Sequence, residues 1–245
     1  MNFAIFVIIM DSLTKDRLIA WADKYNDRRY FIEDPIIFPR QFFQRIPDAE
    51  ACIQDVEIAG LLAAHLAWGR RNMIVRDCRR LFGQMDNRPY EYVMNGRYKD
   101  DPVSVHRTIK WSEIAAICSR LREIYLHTGS IEHMTVNEIR TDIFGSRDDK
   151  NAANKKINMF RRWMVRDDGR VDLGIWKNSD KSQLLIPLDV HVHQSALELG
   201  LTRRQSTDMK TVIEITNALG EIFPLDPCLG DYALFGHSLA GKNDD

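Results

Sequence analysis

Residues 185–201 constrain the local fold more strongly than any other stretch of the sequence. A short apolar run meets Pro187, which ends any preceding structure and lets a new helix begin after it. Asp189 follows, and aspartate is a preferred N-cap because its carboxylate accepts the free backbone N–H groups of the first turn. Gly200 stands where a left-handed residue would end that helix. The segment therefore predicts a helix capped by Asp189, whose ionised carboxylate lies at the positive end of the helix dipole.

Composition limits the classes of protein to consider. With 245 residues, of which 44% are hydrophobic and 28% charged, the chain is long and apolar enough to fold around a sizeable core. A net charge of −1 provides no overall attraction to nucleic acid, so any basic surface must be local. The four cysteines form no CxxC pair, which favours a reduced, cytoplasmic protein. We expect no cofactor, no metal site and no iron–sulfur cluster.

The N-terminal residues are unusually apolar. Residues 2–10 are too few to span a membrane and lack the basic start of a signal peptide, so we expect no membrane partner. Residues 1–11 are interpreted as an apolar extension that is either disordered or a short packed segment. Residues 12–245 are interpreted as one helical domain, with two lobes around a cleft as the alternative.

Apolar residues recur at helical spacing through most of the chain, which predicts an all-α fold. In the second part of the longest stretch, Arg76, Arg79 and Arg80 are expected to be exposed. Ser206 is expected to cap a later helix. The predicted helices cover approximately residues 12–25, 48–82 with an interruption at 69–71, 104–126, 135–144, 151–166, 206–220 and 226–236.

The window 150–166 is the most basic part of the chain, with six basic residues and no acidic one. Aromatic residues alternate with the charges, so one face of the helix could pack while the other meets phosphate; a solvated surface helix is the plainer alternative. Lys155 and Lys156 lie near the start of this helix, where the dipole disfavours an ammonium group. A lysine helped in this way can act as an amine nucleophile.

These stretches together resemble the helix-hairpin-helix DNA glycosylase superfamily, which contains endonuclease III and the 8-oxoguanine glycosylases. Leu188-Asp189-Val190-His191 is similar to the motif of the catalytic aspartate, and Lys155-Lys156-Ile157-Asn158 to the Lys-x-x-Asn motif of the lyase-competent members. Leu61–Leu66 looks like the segment that fills the gap left by a flipped base. The chain after about Leu13 also resembles an uncharacterised bacterial family with a fold relationship to these glycosylases.

The resemblance implies a two-lobed helical fold without an iron–sulfur module, DNA as partner, and base excision through a Schiff-base lysine and an aspartate. Lys156 is the alternative nucleophile, and each tryptophan of the expected base pocket is also a candidate core residue. The implied catalytic residues are Lys155 and Asp189; the implied DNA contacts are Arg147, Lys150, Lys156, Arg161, Arg162 and Arg166; the implied base-pocket or gap-filling residues are His65, Trp68, Trp163, Trp176 and His191.

Two departures from the superfamily weaken the analogy. Phe144-Gly145-Ser146-Arg147-Asp148-Asp149 replaces the Leu-Pro-Gly-Val-Gly hairpin that holds a DNA phosphate, so Arg147 or Lys150 would have to compensate. Residues 171–183 lengthen the interval between the lysine and the aspartate. The alternatives are a protein that binds nucleic acid without catalysis, through 150–166 and 70–80, and an unrelated helical protein in which Lys155 and Asp189 form a structural ion pair.

Overall fold

The computed structural model describes residues 12–240. This part of the chain forms eleven α-helices and one two-stranded antiparallel sheet, so the prediction of a predominantly helical fold is confirmed. The expectation for residues 1–11 lies outside the described residues. The helices are α1 Ser12–Tyr25, α2 Ile37–Phe43, α3 Ile53–Leu66, α4 Arg71–Gln84, α5 Pro89–Asn95, α6 Trp111–Tyr125, α7 Val136–Glu138, α8 Lys155–Val165, α9 Val190–Glu198, α10 Met209–Gly220 and α11 Leu229–Ala240.

Shorter elements connect these helices. The strands are β1 Ser104–His106 and β2 Ile109–Lys110, the 3₁₀ turns are Arg28–Phe31 and Lys181–Gln183, and the π-helical turn Ile139–Ile143 continues α7.

The sheet corrects the prediction of a helix from residue 104 onwards. Arg107 adopts a left-handed conformation with φ of 52°, which turns the chain between β1 and β2. Left-handed residues do not propagate a right-handed helix. The helix therefore begins only at Trp111, and the rest of the predicted segment forms α6.

The described residues divide into two compact units. The first unit contains residues 12–27, 150–158 and 180–240. Within it α1 packs against α11, where Gly236 leaves room for the ring of Tyr25. Ala196 of α9 and Leu234 of α11 are fully buried in the core of this unit.

The second unit contains residues 28–149 and 159–179. Its central helix is α3, which is buried along most of its length, as its apolar spacing predicts. Gly60 brings α3 close to the second part of α8, since a Cβ there would lie 2.8 Å from the terminal methyl of Met164. Helix α8 contributes its first four residues to the first unit and the remainder to the second.

Candidate functional site

Asp189 caps α9, as the sequence predicts. Its backbone is extended, and its Oδ1 atom accepts hydrogen bonds from the backbone N–H groups of His191 and Val192, each at 3.0 Å. The helix ends with Gly200 in the left-handed conformation at φ of 71°, and the N–H of Leu201 donates to the carbonyl of Ala196 at 2.8 Å. This pattern is a Schellman motif, so both ends of α9 are fixed by local hydrogen bonds.

Lys155 is the first residue of α8, four residues later than the predicted start. Asn154 precedes it in a left-handed conformation with φ of 49°. The side chain of Asn158 is almost fully buried, and its Nδ2 donates to the carbonyl of Ala153 at 3.1 Å. This bond fastens the turn before the helix to its first turn, which fixes the backbone from which the Lys155 side chain extends.

The loop before α8 is also tied to the start of α10. The N–H of Met209 donates to the carbonyl of Asn151 at 2.8 Å, and Ala152 forms an isolated β-bridge with Asp208. Asp208, and not Ser206, caps α10 by accepting the N–H of Thr211 at 3.0 Å. The hydrogen bond from that N–H is the main cause of the lowered pKa of Asp208, which is about 2, so the cap is ionised at neutral pH.

The structure brings Lys155 and Asp189 together within the first unit. The Nζ atom of Lys155 lies 3.9 Å from Oδ2 of Asp189, and both side chains are about one-third exposed. The two oxygens of Asp189 have separate partners, because Oδ1 caps α9 whereas Oδ2 faces the amine. The arrangement therefore provides an amine and a carboxylate oxygen at ion-pair distance from each other, both with surface that a ligand can reach.

Four of the six expected DNA contacts retain exposed surface. Arg147 and Lys150 are exposed, whereas Lys156 and Arg161 are partly buried. The guanidinium of Arg161 donates to the carbonyl of Met134 at 2.7 Å, and burial lowers the pKa of this group.

The expectation that Arg162 and Arg166 contact phosphate is wrong. Arg162 is 6% exposed and Arg166 is fully buried. Both guanidiniums pair with the buried carboxylate of Asp172, Arg162 at 3.3 Å, and Arg166 also lies 2.9 Å from Asp168. The acidic residues of the loop that follows α8 therefore contact the arginines of that helix. This pairing compensates the cost of burying the guanidiniums.

Two of the expected base-pocket residues also lie in the core. Trp163 and Trp176 are each 1% exposed, so the expectation that they stack on a flipped base is wrong and their interpretation as core residues is confirmed. The ring of Trp176 packs edge-on against Phe160 at 5.2 Å.

Trp176 also binds Glu57, a residue that sequence reasoning missed. Glu57 lies in α3 with no exposed surface and accepts hydrogen bonds from Trp176 Nε1 at 2.7 Å, Tyr125 Oη at 2.9 Å and Ser130 Oγ at 2.5 Å. The N–H of Ile131 lies 3.4 Å from the same carboxyl group. Burial raises the pKa of Glu57 despite these donors. The available signal was a glutamate in the middle of an apolar helix, since such a group requires buried partners.

The sequence matches DUF2400, a family described as proteins of unknown function, over residues 34–149 and 137–240. The chain belongs to the DUF2400 family. Comparison with curated proteins and with solved structures found no match. The matched residues of this DUF2400 protein include the Lys155–Asp189 pair.

The other base-pocket candidates of the DUF2400 chain retain exposed surface. His65 is partly buried, hydrogen-bonded to Glu113 at 2.8 Å, and its ring stacks on Phe144 at 4.8 Å. Trp68 is partly buried beneath the guanidinium of Arg107, which lies 3.9 Å from the ring centroid. His191 is exposed in the first turn of α9 and contacts Asp189 through its backbone.

The segment that replaces the phosphate-binding hairpin contains one left-handed glycine. Gly145 has φ of 64°, and a Cβ there would lie 2.6 Å from the guanidinium of Arg120. That guanidinium donates to the carbonyl of Ile143 at 3.2 Å. A side chain at position 145 would displace Arg120, so the glycine serves the contact between α6 and this turn.

Between residues 12 and 240, no helix is long and apolar enough to cross a bilayer. In the same part of the chain, no three His, Cys, Asp or Glu side chains are arranged to hold a metal ion.

Proposed function

We propose that this DUF2400 protein is a DNA glycosylase with lyase activity, in which Lys155 is the nucleophile and Asp189 the catalytic carboxylate. The observation that carries the proposal is the distance of 3.9 Å between Lys155 Nζ and Asp189 Oδ2. The two residues are 34 positions apart in sequence, and each stands at the start of a helix. The likeness of both motifs to those of the helix-hairpin-helix glycosylases gives the pair a specific chemistry.

The reaction begins with a damaged nucleotide rotated out of the duplex, because the sugar carbon that bears the base is inaccessible within the stack. Asp189 Oδ2 accepts a proton from the ammonium of Lys155, and the freed amine attacks C1′ of the sugar. The bond between C1′ and the base breaks, and the base leaves with the bonding electrons and takes the proton held by Asp189 Oδ2. Nζ then loses a second proton, which passes through Asp189 to the ring oxygen as the sugar ring opens, and a Schiff base forms between C1′ and Nζ.

Asp189 has a second role in this scheme. Positive charge develops on the sugar as the base departs, and transfer of the proton to the base restores the negative charge of the carboxylate, which two backbone N–H groups already orient. A simpler route, in which Asp189 activates water and Lys155 does not form a bond, would release the base without a covalent intermediate. The two routes predict different products, so they can be separated.

Covalent trapping tests the proposal. The protein is incubated with a duplex that carries an abasic site, and separately with one that carries 8-oxoguanine, in the presence of borohydride. We expect a crosslinked species that Lys155→Ala abolishes and Lys156→Ala retains, because only the former removes the amine assigned as nucleophile. Lys156→Ala is the matched control for the loss of one positive charge in the same helical turn.

Other outcomes would contradict specific parts of the proposal. A crosslink lost in Lys156→Ala and retained in Lys155→Ala would reassign the nucleophile. Base release without a crosslink would favour the water route. If neither crosslink nor base release occurs across a panel of lesions, the assignment of glycosylase activity is wrong.

A further inference from the structure

The second unit carries an exposed cluster of arginines that the proposed chemistry does not use. Residues 67–80 and 103–110 contain six arginines and a single acidic residue, whereas the whole chain has 34 basic and 35 acidic residues. All six arginines are exposed. We call this cluster the α4 arginine surface; its members are Arg70, Arg71, Arg76, Arg79, Arg80 and Arg107.

The acidic residue within these segments is turned away from the surface. Asp77 is 3% exposed, and its Oδ2 lies 2.8 Å from Nδ1 of the buried His106. Its Oδ1 lies 2.9 Å from Nε of Arg76 and 4.0 Å from the guanidinium of Arg80. The carboxylate therefore holds the base of the cluster in place and contributes no exposed negative charge to α4.

Arg107 joins the cluster through the β1–β2 turn. Its guanidinium lies over the ring of Trp68, and a Cβ at Gly69 would lie only 2.6 Å from it, so glycine provides the space it occupies. Nε2 of His106 lies 2.9 Å from the carbonyl of Trp68, and Arg80 donates to the carbonyl of Ser104 at 3.2 Å. These contacts fasten the turn to the residue range before α4 and to the second half of that helix, which orders Arg107 and Arg80 relative to each other.

The spacing of the charges matches a regular polyanion. Arg71 and Arg79 are eight residues apart, which corresponds to about 12 Å along a helix and about 80° around it, so both project from one face of α4. Each strand of a DNA duplex rises by about 3.4 Å along the duplex axis per phosphate, so the length of this face matches the rise of about four phosphates. The cluster contains only arginine, whose planar guanidinium binds phosphate in a bidentate manner.

We infer that the α4 arginine surface binds the phosphate backbone of double-stranded DNA, independently of lesion and base sequence. It extends the proposed function, since it provides a contact with undamaged duplex that involves neither Lys155 nor Asp189. The inference rests on the proposed partner, DNA, but not on the assignment of Lys155 as nucleophile.

The test measures binding of the full chain to an undamaged duplex by fluorescence anisotropy over about 50 to 200 mM salt. Arg71→Ala/Arg79→Ala is compared with Arg88→Ala/Arg97→Ala, which removes two exposed arginines elsewhere in the same unit. We expect the first variant to bind on the order of tenfold more weakly and to reduce the slope of log affinity against log salt by about 1.8, since each phosphate contact contributes about 0.9. The control variant should retain the slope of the wild type.

A charge-conserving variant guards against a loss of folding. Arg71→Lys/Arg79→Lys should retain the wild-type slope, because it keeps both charges, and its thermal midpoint should match that of the alanine variant. An unchanged slope in the alanine variant would overturn the inference. The inference would also be overturned if the alanine variant lost more affinity for phosphatidylserine vesicles or for single-stranded DNA than for duplex DNA.

The two proposals fail separately. In a Lys155→Ala background, Arg71→Ala/Arg79→Ala should still reduce the salt slope for undamaged duplex by about 1.8, because the α4 arginine surface does not include Lys155. Arginine-dependent binding without any covalent trapping would refute the chemistry and keep the surface. Covalent trapping, together with wild-type duplex binding by the arginine variants, would keep the chemistry and refute the surface.

Discussion

The substitution Asp189→Asn separates capping from chemistry at the candidate site. Asparagine caps helices about as well as aspartate, because its amide oxygen can also accept the N–H groups of His191 and Val192. It lacks the negative charge that faces Lys155 at 3.9 Å. Asp189→Ala removes both features, so the pair of variants distinguishes the two roles of a single side chain.

The expected changes in stability follow from the two roles. Loss of this ion pair, whose side chains are about one-third exposed, should cost no more than about 1 kcal/mol in Asp189→Asn. Asp189→Ala also leaves two backbone donors of α9 without their side-chain acceptor, which costs about 1 kcal/mol more. For a chain of 245 residues, each kcal/mol lowers the thermal midpoint by about 2–4 °C. Thermal unfolding followed by circular dichroism should therefore rank wild type above Asp189→Asn and Asp189→Ala lowest.

The expected changes in reactivity follow a different order. A positioned acid–base group contributes about 10²–10⁴-fold to rate, so both variants should slow borohydride trapping by that factor and to a similar extent. Single-turnover trapping at saturating protein measures this step without the contribution of DNA affinity. If Asp189→Asn traps at the wild-type rate while Asp189→Ala is destabilised, Asp189 is a cap and the proposed mechanism is refuted.

The two buried polar clusters of the second unit give further predictions. Burial raises the pKa of Glu57 above its usual value near 4.5, so the stability that this group contributes is present below about pH 4.5 and is lost as pH rises through the folded-state pKa. Urea denaturation gives the free energy of unfolding of the wild type and of Glu57→Gln. The wild-type value minus the variant's value should decrease as pH rises, and a difference that does not depend on pH would contradict this. Asp172→Ala leaves two buried guanidiniums without their shared partner, so it should lower the free energy of unfolding by about 3–5 kcal/mol in the same assay. Asp148→Ala changes an exposed residue and is the control, which should lose less than about 0.5 kcal/mol. A cost for Asp172→Ala as small as that of the control would show that the buried network does not stabilise the unit.

Features determined by neighbours in sequence were predictable. The cap at Asp189 and the left-handed Gly200 both rest on hydrogen bonds within α9 and its flanks, and both are confirmed. The end of the predicted helix at 104–126 was right, whereas its start was wrong because one left-handed residue, Arg107, introduced a turn. Residues 151–154 were predicted as helix, but Asn151 and Ala152 pair with the start of α10, a partner that lies more than fifty residues away.

The proximity of Lys155 and Asp189 does not follow from their neighbours in sequence. Periodicity places each residue at the start of its own helix, but the spacing of 34 positions does not determine how those helices meet. The expectation that the amine and the carboxylate would face each other came from the resemblance to the glycosylases. The distance of 3.9 Å agrees with that expectation, while the reaction itself stays a prediction.

The two basic helices show why a run of arginines is an ambiguous signal. In α4 the arginines are exposed as expected, because Asp77 points inward and is held by His106. In the second half of α8 the arginines are buried, because Asp172 returns from the following loop and pairs with both of them. A count of basic residues cannot distinguish the two cases. The position of the nearest acidic side chain decides whether the guanidiniums of these helices stay exposed, and for α8 that residue lies outside the helix.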